Sequence, residues 1–140
     1  MKLLDVNVWL AAAWARHARH PAAKHWIDAQ DDTLAFCRVT QMALLRLVSN
    51  AAVTGPDVRT RRQAWQLVQA VQSDPRVTFL AEPQGIEPVW LAFSKRDDKS
   101  HLLWTDDYLA AFAQVTGAEL VTLDAGLRTR YPSVQILVLR

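Results

Sequence analysis

The stretch that decides the fold is Leu3-Leu4-Asp5-Val6-Asn7-Val8-Trp9-Leu10. It is apolar apart from two polar side chains, a pattern that indicates a buried strand with an acid at its end. A buried carboxylate without a partner is costly, so Asp5 is expected to lie beside a cation, a metal or strong hydrogen-bond donors. Asn7 follows two residues later and adds an amide. The alternative is that these residues cap a helix, because both residue types are common N-caps.

The composition is that of a folded protein. The chain has 140 residues, of which 51% are hydrophobic and 21% charged, so residues 1–140 are expected to form a single domain. No apolar run is long enough to span a membrane and no secretory leader is visible, which predicts a cytoplasmic location. Cys37 is the only cysteine, which excludes an intrachain disulfide. The net charge of +2 permits an anionic partner such as nucleic acid.

Strand and helix patterns alternate along the chain. Strands are predicted at 2–6, 34–38, 76–80, 119–123 and 134–139. Helices are predicted at 10–18, 22–29, 40–52, 58–72, 89–95, 105–115 and 125–130. The residues expected to begin the second, third and fourth helices are Pro21, Thr40 and Asp57. Parallel strands joined by helices are covered on both faces, so the predicted fold is a three-layer α/β/α fold with a central parallel sheet.

Three acids occupy similar positions in this pattern. Asp5 and Asp124 each follow a predicted strand, and Asp106 begins the helix that leads into the strand before Asp124. If the two strands are neighbours in a parallel sheet, the three carboxylates meet at one edge of it. Carboxylates packed together repel one another, and Mg²⁺ or Mn²⁺, which prefer oxygen ligands, can neutralise them. No spacing of histidine and cysteine indicates zinc.

Three segments, taken in order, resemble the PIN-domain ribonucleases, and specifically the VapC-type toxins of type II toxin–antitoxin pairs. They are residues 3–9, residues 104–113 (Trp-Thr-Asp-Asp-Tyr-Leu-Ala-Ala-Phe-Ala) and residues 120–124 (Leu-Val-Thr-Leu-Asp). The step of eighteen residues from Asp106 to Asp124, across a helix, Gly117 and a strand, matches the family. Adjacent helical side chains point about 100° apart, so only one of Asp106 and Asp107 should face the site, and the family spacing selects Asp106.

The resemblance implies a PIN-like fold and a Mg²⁺- or Mn²⁺-dependent endoribonuclease that hydrolyses RNA. It assigns metal binding and catalysis to Asp5, Asp106 and Asp124. It implies that Asn7 and Thr122 are supporting polar groups near these acids. A VapB-like antitoxin is the expected partner, RNA the expected substrate, and a homodimer the expected assembly.

The chain departs from the family pattern at one position. The family has a Glu on the helix after the second strand, and that position falls near Ala43 here, in a stretch without acids. Three carboxylates and water can still hold one ion, but a second ion would lose a ligand. Gln41 is a candidate neutral oxygen ligand. Arg46 is a candidate contact for phosphate or for a neighbouring acid, or else a solvated surface residue.

Other basic and aromatic residues suggest where RNA and protein partners bind. Candidate contacts for flanking phosphates are Arg59, Arg61, Arg62 and Arg128, although an arginine cluster is also typical of a solvated helix face. Apolar residues of the early helices are predicted to line an antitoxin groove or a dimer surface: Trp9, Trp14 and Trp26.

Three other interpretations fit part of the pattern. A phosphatase of the haloacid dehalogenase kind also opens with a strand ending in Asp, but its second Asp is replaced here by Asn7. A PIN fold with weak catalysis, which binds RNA or protein, is favoured by the missing Glu. An ordinary α/β protein in which each Asp caps a helix leaves the common placement of the acids unexplained.

Overall fold

The computed structural model describes residues 1–140 and contains one five-stranded sheet in which every pairing is parallel. The strands are β1 Lys2–Leu4, β2 Leu34–Phe36, β3 Val77–Phe79, β4 Glu119–Thr122 and β5 Ile136–Val138, in the spatial order β3-β2-β1-β4-β5. The α-helices are α1 Val6–Ala13, α2 His20–Asp28, α3 Arg38–Val48, α4 Ala51–Thr54, α5 Arg61–Gln72, α6 Ile86–Ser94, α7 Trp104–Thr116 and α8 Gly126–Arg130. A short 3-10 helix, Gly55–Asp57, follows α4.

The sheet separates two apolar cores. Side chains alternate along a strand, so Leu3 of β1 enters one core and Leu4 enters the other. The first core is completed by side chains of α7 and α8, such as Phe112 and Leu127, and the second by side chains of α1 and α3, such as Val8. The predicted three-layer α/β/α fold with a central parallel sheet is therefore confirmed.

The strand order brings the two ends of the sequence pattern together. β1 lies between β2 and β4, with Leu3 opposite Leu120 and Leu4 opposite Val121. Because the pairing is parallel, the carboxyl ends of β1 and β4 lie side by side. The residues that follow these strands therefore meet at one edge of the sheet, although they are more than a hundred positions apart in the sequence.

The first strand is shorter than predicted and the first helix begins earlier. β1 ends at Leu4 rather than at residue 6, and α1 covers Val6–Ala13 rather than 10–18. Asp5 therefore occupies the N-cap position of α1. The prediction was wrong here because a helix buried in the core is as apolar as a buried strand, so hydrophobicity alone does not divide the run.

Two other helix starts differ from the prediction. α3 begins at Arg38 with Cys37 as its N-cap, and Thr40, the predicted cap, lies in its first turn and accepts a hydrogen bond from the Cys37 backbone N–H at 3.1 Å. The helix ends at Val48 instead of continuing to residue 52, and Ala51–Thr54 forms a separate turn of helix.

α5 begins at Arg61 instead of residue 58, and its N-cap is Thr60, whose hydroxyl accepts from the Gln63 N–H at 3.1 Å. Asp57, the predicted cap, accepts instead from the Trp14 indole N–H at 2.9 Å. A tertiary partner has therefore replaced the local one.

The remaining elements begin and end within three residues of their predicted bounds.

Trp9 was predicted to line a partner surface, but it is buried instead. It is 2% exposed and stacks on Phe36 with ring centroids 4.1 Å apart. It belongs to the core and not to a partner surface. None of the helices combines the length and the apolar character that crossing a membrane requires.

Candidate active site

Asp5 is a buried acid directly after β1, with 5% of its surface exposed. Although it lies at the N-cap position of α1, its carboxylate makes no capping hydrogen bond. Its Oδ2 accepts from the Thr122 hydroxyl of β4 at 2.9 Å. Burial raises the pKa of Asp5, the Thr122 hydrogen bond opposes this rise, and the nearby charge of Asp124 adds to it. The Asp5 carboxylate thus has its side-chain partner on the neighbouring strand, while the backbone N–H groups of Val6 and Asn7 also lower its pKa.

Thr122 is the centre of a polar network at the end of β4. It is fully buried, and its hydroxyl donates to Asp5 and accepts from the Asn7 side-chain amide at 3.1 Å and from the Asp124 N–H at 3.1 Å. The Asn7 side-chain oxygen accepts from the Leu123 N–H at 3.1 Å. This network joins the first turn of α1 to the end of β4 and sets the path of the chain into Asp124.

Replacing Thr122 by Val is expected to lower the free energy of unfolding by about 2 kcal/mol or more. Val preserves the shape of the side chain, but it leaves the Asn7 amide and the Asp124 N–H without an acceptor and Asp5 without a donor. Thr122→Ser, which keeps the hydroxyl, is the matched control and should lose much less. Urea denaturation of both variants makes the comparison, and equal losses would contradict a role for the hydroxyl.

Asp106 lies in the first turn of α7 and is half-buried. Its Oδ2 is 3.3 Å from Nη1 of Arg130, the last residue of α8. Burial raises the pKa of Asp106 to about 6, and the charges of Asp5 and Asp124 raise it as well, while Arg130 lowers it. The three acids therefore share one electrostatic environment, although they come from three different elements.

Asp107 has different partners from Asp106, its neighbour in the sequence. It is 6% exposed and accepts a hydrogen bond from the Tyr131 hydroxyl. Burial, followed by this hydrogen bond, raises the pKa of Tyr131 above its usual range. The two adjacent acids therefore diverge as helix geometry requires, and Asp107 is held by the core beneath α7.

Asp124 is the exposed member of the group. One of its carboxylate oxygens accepts from the Gly126 N–H at 2.8 Å, which stabilises the turn into α8. The site thus has a buried acid at Asp5, a half-buried one at Asp106 and an accessible one at Asp124.

The donor set fits a hard divalent cation in its chemistry, though it is not a closed cage. No group of three His, Cys, Asp or Glu side chains is close enough to hold an ion by itself. Mg²⁺ usually binds to one or two carboxylates and keeps several waters, so a closed protein cage is not required. The guanidinium of Arg130 already lies against Asp106, where the acids concentrate negative charge. The residues that could hold an ion here are Asp5, Asp106 and Asp124.

The other polar residues predicted for this region lie outside this contact network. Gln41 is buried on α3, and its oxygen accepts from the Arg38 guanidinium. Arg46 is exposed on the same helix. Arg128 is also exposed, and its guanidinium donates to the Ile136 carbonyl at 3.3 Å. None of these side chains makes a hydrogen bond or ion pair with the three acids. The role of Gln41 as a neutral oxygen ligand and the phosphate contacts of Arg46 and Arg128 stay predictions.

Arg130 is the site residue that the sequence reasoning missed. The arginines at 128 and 130 look equivalent in the sequence, but only Arg130 pairs with an acid. The signal that could have found it is its place at the end of a five-residue helix that starts two residues after Asp124. So short a helix keeps its last side chain near the edge of the sheet where the acids lie.

The sequence matches the PIN domain family over residues 2–131. Ribonuclease VapC41 of Mycobacterium tuberculosis is 40% identical, and the alignment covers 99% of each chain. Ribonuclease VapC29 of the same species is 32% identical, over 97% of this chain and 95% of that protein.

Solved structures with the same fold include two with TM-scores near 0.7. The crystal structure of Mycobacterium tuberculosis VapC20, described as a Sarcin-Ricin loop cleaving toxin, aligns with a TM-score of 0.71 and 15% identity over 92% of this chain and 94% of that one. VapBC2 from Rickettsia felis, bound to a DNA fragment from their promoter, aligns with a TM-score of 0.70 and 15% identity over 99% of this chain and 98% of that one. At these identities the likeness concerns the fold.

Proposed function

We propose, because this chain belongs to the PIN-domain family and to its VapC ribonucleases, that it is a divalent-metal-dependent endoribonuclease and the toxin of a type II toxin–antitoxin pair. The observation that carries the proposal is the placement of three acids near one edge of the sheet. Asp5 and Asp124 follow the neighbouring strands β1 and β4, and Asp106 lies in the first turn of α7. Burial and the charges of the other two acids raise the pKa of Asp106 to about 6. Negative charge gathered in this way is costly unless a cation neutralises it. The names of the 40% and 32% identical relatives supply the reaction class, ribonuclease.

The chain's own residues have separate parts in the proposed reaction. Asp5, Asp106 and Asp124 would hold Mg²⁺ or Mn²⁺, which would supply a water of lowered pKa and positive charge for a phosphoryl oxygen. The Thr122 hydroxyl orients the Asp5 carboxylate, and Asn7 holds that hydroxyl in place. One of these three carboxylates, not fully engaged by the ion, would accept the proton of the attacking water.

Arginines contribute the positive charge that an RNA substrate needs. Arg130 offsets the charge of Asp106, and a phosphate offers its guanidinium the same kind of oxygen acceptor. Arg46 and Arg128, both exposed, are the proposed contacts for flanking phosphates.

A second candidate function is that of a weakly catalytic PIN fold that binds RNA or protein. The observation that favours it is the helix α3, where Ala43 stands near the position of the family's Glu and Gln41 has its oxygen occupied by Arg38. No side chain on this helix therefore replaces the absent carboxylate.

Incubation of the purified protein with total RNA, with and without Mg²⁺ or Mn²⁺, separates the two functions. The nuclease proposal expects RNA fragments only when the ion is present and no fragments after chelation. A binding module would retain RNA on a gel or filter without the ion and would produce no fragments with it.

The proposed protein partner is a VapB-like antitoxin, and the proposed assembly is a homodimer. Trp14, at the end of α1, borders a surface cavity of about 320 cubic ångströms together with Arg16, Val48 and Arg59. Its indole N–H is held by Asp57, so the ring is fixed in place at the surface. Of the three tryptophans predicted to face a partner, Trp14 and Trp26 are half-buried and remain available for this role.

Trp14→Ala is expected to weaken either antitoxin binding or self-association at least about tenfold, since a large aromatic side chain is a typical interface hot spot. Titration calorimetry with the co-expressed antitoxin and sedimentation of the free protein measure the two equilibria. Leu91→Ala, at a residue 56% exposed on α6, serves as the control. Unchanged affinity and unchanged assembly in the folded Trp14 variant would remove this surface from both contacts.

A further inference from the structure

We propose that Trp104 is a stacking surface for one unpaired base of the RNA, beside Arg130, the partner of Asp106. The inference rests on the proposed nuclease function and deepens it, because it names the substrate class as single-stranded or looped RNA. The observations that carry it are the exposure of Trp104, the way its ring is held, and the two cavities that it borders.

Trp104 is an exposed aromatic side chain that is nevertheless held in place. It is the first residue of α7, and 56% of its surface is exposed. The Trp90 indole donates to the Trp104 carbonyl at 3.2 Å, and the two rings meet edge to face with centroids 6.5 Å apart. Trp90 is supported in turn by Tyr108, edge to face at 5.4 Å. An aromatic surface that is ordered before binding loses less conformational entropy when a ligand stacks on it.

Two cavities of opposite character meet at Trp104. One, of about 450 cubic ångströms, is mainly aromatic and aliphatic, and its wall includes Trp90, Tyr108, Phe112 and Arg38. The other, of about 290 cubic ångströms, is polar, and its charged residues are Arg96, Arg130, Asp98 and Asp107. A nucleotide joins a flat aromatic base to an anionic phosphate, so a wall that is aromatic on one side and carries arginines on the other suits it.

Arg38 places a guanidinium in the aromatic cavity, and this guanidinium forms no ion pair. Its guanidinium lies 4.5 Å from the centroid of the Phe79 ring and donates to Gln41. Glu82, the acid of the same cavity, is already engaged by the Tyr108 hydroxyl at 2.8 Å. A guanidinium without an ion-pair partner, in the same cavity as an exposed indole, favours an anionic aromatic ligand over a purely apolar one.

Arg130 links the stacking surface to the acids. It lines the polar cavity together with Trp104 and forms the 3.3 Å ion pair with Asp106. Trp104 and Asp106 are two residues apart on α7 and point in different directions, so Arg130 rather than the helix spacing makes the connection. A base on Trp104 therefore belongs to a nucleotide near the bond to be cleaved. The faces of paired bases are covered by their neighbours in a duplex, so this contact is open only to unpaired RNA.

Binding of a fluorescent 2′-O-methyl RNA oligonucleotide, measured by anisotropy without divalent ion, tests the inference separately from cleavage. Trp104→Ala is expected to raise Kd about tenfold, since stacking of one base on one aromatic side chain has an effect of this order. Trp104→Tyr should retain most of the affinity. Trp65→Ala, at a residue 46% exposed on α5, is the matched control and should bind like the unsubstituted protein.

Two further measurements separate stacking from charge. An oligonucleotide with one abasic position, moved along the sequence, should lose affinity at one place for the unsubstituted protein but not for Trp104→Ala. The slope of log Kd against log salt concentration should stay the same in Trp104→Ala, whereas in Arg130→Gln it should fall by about 0.7, the value for one phosphate contact to single-stranded nucleic acid.

Equal affinity of Trp104→Ala and the unsubstituted protein for the oligonucleotide would overturn the inference, and so would failure of the unsubstituted protein to bind it. Loss of self-association or of antitoxin binding with unchanged RNA affinity would assign this surface to a protein partner instead. Cleavage of total RNA is scored in parallel. A protein that cleaves with metal but is indifferent to Trp104 loses only this inference, whereas one that binds through Trp104 but never cleaves loses only the nuclease proposal.

Discussion

Replacing Asp5 by Asn is expected to lower the rate of RNA cleavage at least about a hundredfold while the protein stays folded. Asn has the volume of Asp and keeps an oxygen that can accept from the Thr122 hydroxyl, so the network at the end of β4 survives. The change removes one of the three negative charges that are proposed to hold the ion. Because burial and the charge of Asp124 raise the pKa of Asp5, its ionised form is unfavourable in the metal-free protein. The melting temperature of the variant should therefore equal or exceed that of the unsubstituted protein.

Cleavage of total RNA with Mg²⁺ or Mn²⁺ and thermal denaturation without it are the two measurements. Asp28→Asn is the matched control, since it makes the same change at an exposed carboxylate that pairs only with Lys24, at 2.6 Å. That variant should cleave at the normal rate. A folded Asp5→Asn protein that cleaves equally well would show that Asp5 is not needed for the reaction, and one that does not fold would give Asp5 a structural role.

The alternation of elements is predictable because its signals are local. Gly117 is an example: it ends α7 with φ of 72°, a conformation that glycine adopts at little cost, and it directly precedes the strand that leads to Asp124. The change from strand to helix at Asp5 is not local in this sense. It depends on where β1 stops pairing with the neighbouring strand β4. The last pair in that register is Leu4 with Val121.

The site is predictable in its acids but not in the contacts that organise them. Asp5 and Thr122 face each other because β1 and β4 are neighbours, and strand order is a property of the whole fold. The pairing of Arg130 with Asp106 depends on the residue at which α8 starts, because this sets the direction in which each side chain of the helix points. Arg128 is two residues earlier, about 200° away around the helix, and therefore contacts β5 instead.

The metal-free protein is expected to become less stable as the pH rises from 5 to 7.5, and Mg²⁺ or Mn²⁺ is expected to reverse this loss. The pKa of Asp106 is about 6 in the folded protein, against an ordinary value of 3.8. A raised carboxyl pKa means that the folded state binds the proton more tightly. The stabilisation from that proton is complete below the ordinary pKa and is lost as the pH rises through the folded pKa. Between pH 5 and 7.5 this side chain, about a quarter exposed, is expected to lose about 1 kcal/mol of that stabilisation, or about 3 °C in melting temperature.

Melting curves between pH 5 and 7.5, with and without millimolar Mg²⁺, test this expectation. The cation binds the ionised carboxylates, so its stabilising effect should be larger at pH 7.5 than at pH 5. His17, whose pKa is lowered by burial and by the charge of Arg19, acts in the opposite direction. The informative quantity is therefore the difference between the unsubstituted protein and Asp106→Asn, which keeps every histidine. If the two proteins show the same pH dependence and the same response to Mg²⁺, the shared charge of the acids is not what binds the ion.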